Sequence, residues 1–364
     1  MTTPLHSLLQ SIKSAVFPQR RAILKGGGEL ENIGDIMMRH EAEKLITSLG
    51  FKVVLRMGHG YNPAELSGVD NTIDAIFVLG SIQYSDAWAA PNLWERLEKS
   101  LRFHKHFPKA KVVFLPSTWG AFEPRHKDAL ARLVGGTRVL VRDKFSAESI
   151  NGLLESPLAD YCPDLAFNYP TASAALAQSV LERTLDDPTK PLMGIIPNHR
   201  CIEKGVTPLL RPEEYIEFLV RSRDFALSRG FNVLGISHML NTDRDLKLIR
   251  ELGIPCVPAD DHTLIRALIA NVTVCICSRY HGLVSCLSHG VPVLALGWHH
   301  KYRNLMSDME LGEYHLSVAE SHRDPAPLLD ELFGHRHELR QTIVRNVHAA
   351  RQLIRTGTES LKTP

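Results

Sequence analysis

Two side chains of unlike chemistry, Arg279 and His281, stand one residue apart where an apolar run from Val272 to Cys277 gives way to a helix-forming stretch. The run is β-branched and apolar without alternation, as expected for a parallel strand covered on both faces. Ser278 to Gly282 make the corner, and Gly290 to Val293 lead into a second apolar strand that ends at Trp298. In open parallel sheets ligands bind at such corners, because a helix N-terminus offers unpaired N–H groups and a partial positive charge. Arg279 adds a fixed cation with a planar donor fork, and His281 adds a group that moves a proton near neutral pH. The pair reads as an anion site with an acid beside it. A strand-end Arg-x-His that merely caps a helix and pairs with a surface acid is the plain competitor.

Apolar strand-like runs alternate with helical patterns along the whole chain, which predicts an α/β protein of mostly parallel sheet. At 364 residues the chain exceeds the size of one hydrophobic core, so two domains are expected. The first, acceptor-side domain is read over 21–170, a linker over 171–191, the second, donor-side domain over 192–322 and a terminal helical segment over 323–364. Two Rossmann-like open parallel-sheet domains, facing across a cleft and closed by a C-terminal helix, form the GT-B-like architecture. In the first half a glycine-rich corner, 26–35, precedes a helix expected from about Ile36 to Leu49, with Asp35 read either as a helix cap or as a functional carboxylate. A strand at 137–141 closes on Arg142 and Asp143, and 162–167 reads as the last short strand of this half. In the second half the strand at 192–197 leads into a polar loop with Arg200, and Asp261 is expected to cap the helix that ends near Asn271.

A net charge of +2 is too near balance for non-specific nucleic-acid binding, so no nucleic-acid partner is expected. The six cysteines form no Cys-x-x-Cys pair. Cys275 and Cys277 lie on one face of an apolar strand, as buried free thiols do, and a reducing compartment, the cytoplasm, follows. No stretch is long and apolar enough to span a bilayer. Residues 1–20 carry Leu5, Leu8, Leu9, Ile12 and Val16 at helical spacing, followed by Arg20 and Arg21. An amphipathic helix packed on its own domain is the first reading of that extension, and peripheral contact with a membrane surface the second. No His-Glu-x-x-His or similar spacing is present, so no metal is expected. The sequence carries no signature of oligomeric state.

Four segments in one order resemble the polysaccharide pyruvyltransferase family: Asn32 to Asp35, Val141 to Asp143, Pro163 to Phe167, and Ser278 to Gly282 with its continuation Gly290 to Val293. The resemblance spans roughly residues 23–316, and the last segment is the most specific. It implies a GT-B-like transferase that moves the enolpyruvyl unit of phosphoenolpyruvate onto sugar hydroxyls, forming a pyruvate ketal on a cell-surface glycan or its lipid-linked precursor. Phosphoenolpyruvate is then a substrate and no cofactor is needed. A lipid-linked acceptor would put the enzyme at the inner face of the membrane. The resemblance maps donor binding onto Arg279 and His281. With it, Arg142 and Arg200 become further donor cations, and His281 becomes the acid that protonates the enol carbon or the departing phosphate. Asp35 or Glu31 would deprotonate the acceptor. Asn32, Glu31, Gln83, Trp298 and His299 are the expected acceptor contacts. Where many members carry a run of glycines, this chain has Gly80-Ser81-Ile82-Gln83-Tyr84.

Two rival functions share the fold. A nucleotide-sugar glycosyltransferase commonly holds ribose hydroxyls with a carboxylate around the helix after this corner. Here the first acid after His281 is Asp308, which favours a ligand without ribose. A non-catalytic family member is the second rival, against which the intact Asp35, Arg142, Arg279 and His281 speak.

Overall fold

The computed structural model describes residues 19–27, 31–58, 66, 72–80, 93–203, 211–240, 242–258 and 261–362, with backbone alone over 93–98. The expected N-terminal helix, part of the glycine corner and Gln83 lie outside the described residues.

The first sheet comprises β1 (Arg20–Gly26), β2 (Phe51–Met57), β3 (Ala75–Leu79), β4 (Lys111–Ser117), β5 (Arg138–Val141) and β6 (Ala159–Tyr161). They run in the order β2-β1-β3-β4-β5-β6, every pair parallel. The second sheet comprises β7 (Leu192–Ile196), β8 (Asn232–Gly235), β9 (Val274–Cys277), β10 (Val293–Gly297) and β11 (His315–Ser317). Its order is β11-β10-β9-β7-β8, again parallel throughout. β3, β7, β9 and β10 are buried along their whole length, which is why their sequences are apolar without alternation. The expected two-sheet α/β architecture is what the chain adopts.

Twelve α-helices are present among the described residues. In chain order they are α1 (Ile33–Ser48), α2 (Leu93–His106), α3 (Lys127–Val134), α4 (Lys144–Leu154), α5 (Gln178–Thr184), α6 (Pro212–Ser228), α7 (Arg244–Glu251), α8 (His262–Ala270), α9 (Tyr280–Ser288), α10 (His300–Asp308), α11 (Ala326–Gly334) and α12 (Arg336–Glu359). Asp261 caps α8 as expected, its carboxylate accepting from Thr263 N at 2.9 Å. The final helix returns to the first domain, where Arg351 Nε donates to Phe167 O at 2.9 Å and Arg138 donates to Ser360 O at 3.3 Å. Among the described residues no helix is long and apolar enough to cross a membrane. All six cysteines are unpaired, and five are buried.

The two halves meet at the carboxyl ends of both sheets. Asn32 forms an antiparallel bridge with Met239, and Leu240 N donates to Glu31 O at 2.6 Å. Asn304 of α10 donates to Asp143 at 3.0 Å, and Asp308 accepts from Lys144 N at 3.2 Å. These contacts hold the ends of the two sheets against each other.

Two expectations are corrected. The segment 162–167 is not a strand: β6 lies just before it, and Asp164 accepts from Ala166 N at 2.9 Å to cap a 3₁₀ turn, Leu165–Asn168. Its apolar side chains are buried as in a strand, but Pro163 lacks the N–H that a ladder needs. The cap of α1 is Asn32, whose Oδ1 accepts from Gly34 N at 3.0 Å, and the helix starts three residues earlier than expected. Asp35 therefore sits inside the first turn.

Candidate active site

Most of the charged or polar residues of interest follow the carboxyl end of a strand. Glu31 to Asp35 follow β1, Thr118 follows β4, Arg142 and Asp143 follow β5, and Asp164 follows β6. Across from them, Asn198 to Arg200 follow β7, Arg279 to His281 follow β9, and Trp298 to Lys301 follow β10. In the second sheet the strand order reverses between β7 and β9, where the crevice of an open sheet lies. Asn198 ties these two corners together, its Nδ2 donating to Ser278 O at 3.0 Å.

Arg279 has the extended backbone of a helix N-cap, which turns its side chain away from the axis of α9. Its Nε and Nη2 donate to Asp245 at 2.8 and 2.7 Å, a fork-to-fork pair, and Nη2 also lies 3.1 Å from His199 Nδ1. Nη1 is the guanidinium nitrogen with no protein partner among the described residues. Burial alone would raise the Asp245 carboxyl, but the Arg279 charge and the bonds from His199 hold it down at about 2. Asp245 thus fixes the direction of Arg279 and leaves one edge of the fork for a ligand.

His281 points across the gap. Its Nε2 lies 3.5 Å from Asp164 Oδ2, longer than a hydrogen bond, and has no hydrogen-bonding partner. Its ring packs on the start of α1, where a Cβ built at Gly34 would fall 1.9 Å from His281 Nδ1. The Asn32 to Asp35 corner is therefore shaped around the imidazole by the absence of one side chain. Gly34→Ala is expected to displace the ring, costing about 1–3 kcal/mol of stability by overpacking. Turnover should fall at least tenfold in the same variant. Thermal unfolding and steady-state rates measured side by side check both, and normal turnover in a folded variant would contradict this packing.

Arg142 is fully buried, donating from Nη1 to Asp164 at 2.8 Å and from Nε to Thr118 at 2.9 Å, with its guanidinium 3.9 Å from the Tyr280 ring centroid. Burial would raise the Asp164 carboxyl, but His281 and Arg142 together hold it well below the usual carboxylate range. Arg142 was expected to contact the donor. Its contacts with Asp164 hold the carboxylate that faces His281. Arg200 is half-buried in the 3₁₀ turn His199–Cys201, with Nη1 4.0 Å from Glu203.

The expected acceptor residues divide. Glu31 is exposed and meets the second domain through its carbonyl, whereas Asp35 is buried in the first turn of α1. His299 caps α10, its Nδ1 accepting from Lys301 N at 3.2 Å. That bond places the ring proton on Nε2, a buried donor without a partner. Burial, with His300 and Lys301 nearby, lowers the His299 pKa to about 2, so this imidazole is neutral. Trp298 is half-buried beside it, and both line a cavity of about 220 Å³ with His300, Arg303, His315 and Ser317. The Nε2 atoms of His199, His281 and His299, on three successive corners, are all buried without partners. Buried polar groups are ordinarily paired, so each of these ring nitrogens is left available to a polar ligand.

The family model described as polysaccharide pyruvyl transferase matches residues 32–300, more than half of the chain. The chain belongs to this family. The match takes in the α1 corner, Arg142, Asp164, Asp245, Arg279, His281 and His299, so the pyruvyl transferase segment and the interdomain site coincide. No curated protein is similar in sequence. Among solved structures, the chain is similar to the UDP co-structure of MnaA from S. aureus, at 9% identity and a TM-score of 0.53, covering 89% of this chain and 90% of that one. It is also similar to the N-terminal domain of trehalose-6-phosphate phosphatase from Candida albicans, at 8% identity and a TM-score of 0.52, over 93% and 98% of the two chains. UDP-GlcNAc 2-epimerase from Neisseria meningitidis, bound to UDP-GlcNAc, matches at 8% identity and a TM-score of 0.51, over 89% and 93%. At such identities the likeness is one of fold, and the shared fold is GT-B.

Sequence reasoning missed two carboxylates, Asp164 and Asp245. Asp164 lies in a segment already singled out, and an acid just after a strand end was its available signal. Asp245 lies on an amphipathic helix 34 residues before its partner, with nothing local to distinguish it from a surface acid.

Proposed function

We propose that this member of the family transfers the enolpyruvyl unit of phosphoenolpyruvate to two hydroxyls of a sugar acceptor, releasing phosphate and leaving a pyruvate ketal. The observation that carries the reading is that Arg279, with Nη1 left over from its pairing to Asp245, and His281, with a buried Nε2 that makes no hydrogen bond, both follow β9 at the switch point of the second sheet, within the family-matched segment. Phosphoenolpyruvate bears a phosphate ester and a carboxylate on one carbon, so it needs cations and N–H donors close together. Arg279, Arg200 and the first turn of α9 supply them.

In the reaction His281 gives a proton to the methylene carbon, and positive charge develops on the carbon bearing phosphate. An acceptor hydroxyl adds there and phosphate departs with the broken C–O bond. A second hydroxyl then closes the ring. The two hydroxyl protons are accounted for by the new methyl group and the released phosphate. Asp35, buried in the first turn of α1, is the carboxylate proposed to take the acceptor proton. Trp298 and His299 offer a ring face and an N–H to the sugar. We place the enzyme in the cytoplasm, and at the inner membrane face if its acceptor is lipid-linked.

The test is phosphate release from phosphoenolpyruvate, dependent on a diol-bearing sugar acceptor and accompanied by a ketal in the product. Release only from a nucleotide sugar would overturn the reading. Arg279→Lys keeps a cation beside Asp245 but loses the outward Nη1. The donor KM should rise about 10–100-fold, the worth of one charge-assisted hydrogen bond, with kcat little changed.

A further inference from the structure

We infer that the cavity of about 220 Å³ at the ends of β10 and β11 is a second oxyanion subsite, built for a phosphoryl group and separate from the donor corner. Its separateness rests on the proposed function, which gives the donor's anions to Arg279 and Arg200. β10 ends at Gly297, and the chain passes at once into Trp298, His299 and His300, with Arg303 one turn along α10. β11 lies parallel beside β10, pairing Ser317 with Gly297, and brings His315 and Ser317 to the same wall. The fit at this point needs a glycine: a Cβ built at Gly297 would fall 2.5 Å from Tyr302 Cβ and 3.0 Å from His315 Nε2.

Three imidazoles, a guanidinium and a hydroxyl line the cavity, and no carboxylate does. The Nε2 atoms of His299, His300 and His315 are each buried without a hydrogen-bonding partner. Three such atoms around one small cavity are a standing cost that a ligand with several acceptor oxygens relieves. Arg303 is exposed and makes no ion pair among the described residues, so a fixed cation stands at the mouth. Burial, and after it the Arg303 charge, lower His300 and His315 to about 4, so these rings are neutral like His299. The two acids whose charge reaches them are engaged elsewhere. Glu320 accepts from Ser317 N at 3.0 Å and pairs with Arg323 at 2.9 Å, and Asp143 accepts from Ser146 N at 2.9 Å and from Asn304 at 3.0 Å.

Three histidines would also suit a metal ion. Among the described residues, however, no group of three His, Cys, Asp or Glu side chains is placed to hold one. Between oxyanions, a carboxylate offers two oxygens in one plane, whereas a phosphoryl group offers three on a tetrahedron. The second suits donors that arrive from β11, from α10 and from the corner after β10, with Arg303 able to give two parallel bonds. Two sources carry such a group: a phosphorylated sugar acceptor and the phosphate that the reaction releases.

Calorimetric titration of the full-length protein tests the subsite and tells the sources apart. With phosphoenolpyruvate saturating and no acceptor present, inorganic phosphate should still bind. Arg303→Met, a change at an exposed position, should weaken that binding about 10–100-fold, the worth of one charge-assisted hydrogen bond, and leave phosphoenolpyruvate affinity unchanged. Arg279→Lys should do the reverse. A hexose 1-phosphate (glucose, galactose or mannose) that binds at least about tenfold more tightly than inorganic phosphate and than its methyl glycoside assigns the subsite to the acceptor. Equal affinity for inorganic phosphate and the hexose phosphates assigns it to the released product. No phosphate binding beside bound phosphoenolpyruvate, or binding that both Arg303→Met and His315→Leu leave intact, overturns this inference while the donor assignment stands. Failure to bind phosphoenolpyruvate at all, with phosphate binding still sensitive to Arg303→Met, overturns the proposed function and spares the subsite.

Discussion

Replacing His281 by alanine is expected to lower kcat at saturating phosphoenolpyruvate by about 10²–10⁴-fold, the range for losing a positioned proton donor. Donor affinity should change far less, because Arg279 and the first turn of α9 remain in place. The effect is large because this imidazole reaches across the gap: its Nε2 faces Asp164 of the first domain at 3.5 Å, and its ring rests where Gly34 has no side chain. Single-turnover rates at saturating donor separate the chemical step from binding and release. Near-normal turnover would remove His281 from the chemistry. Because His281 and Asp164 are in contact, a variant lacking both groups should be scarcely slower than the more damaged single variant.

The second large effect is one of stability. Asp164→Asn should destabilise the protein by about 3–5 kcal/mol, because it leaves the fully buried Arg142 guanidinium without its compensating charge. Denaturant unfolding at neutral pH measures this directly, and an unchanged midpoint would refute it. The pH dependence has a definite sign. The folded-state carboxyls of Asp164 and Asp245 lie below the unfolded aspartate value of about 3.9. Their contribution is therefore complete above about pH 4 and is lost as pH falls further, for Asp245 through its folded value of about 2. Wild-type stability should drop over that window. Asp164→Asn should show a shallower drop, with the Asp245 part remaining.

The site was legible in the sequence to the extent that chemistry sits next to a strand end. Val274–Cys277 is too apolar to be anything but buried, so Arg279 and His281 had to emerge at its carboxyl end. The same logic located Arg142, Arg200, Trp298 and His299. It did not reveal what each side chain faces, because partners come from other strands. Arg142 could be placed at a strand end, but its partners Asp164 and Thr118 lie 22 and 24 residues away and can be known only once β4, β5 and β6 are in register. Asp35 was weighed as a cap because aspartate favours caps. Asn32 fills that role because the bridge to Met239 fixes where the chain enters the helix.

The central claim is that a small enol phosphate, and not a nucleotide, occupies the gap between the two sheets. A crystal structure of the protein soaked with phosphoenolpyruvate tests it most directly. The expected result is phosphate or carboxylate oxygens within hydrogen-bonding distance of Arg279 Nη1, with the methylene carbon beside His281 Nε2. A donor bound elsewhere, or a soaked nucleotide sugar seating its base and ribose against those two side chains, would contradict it.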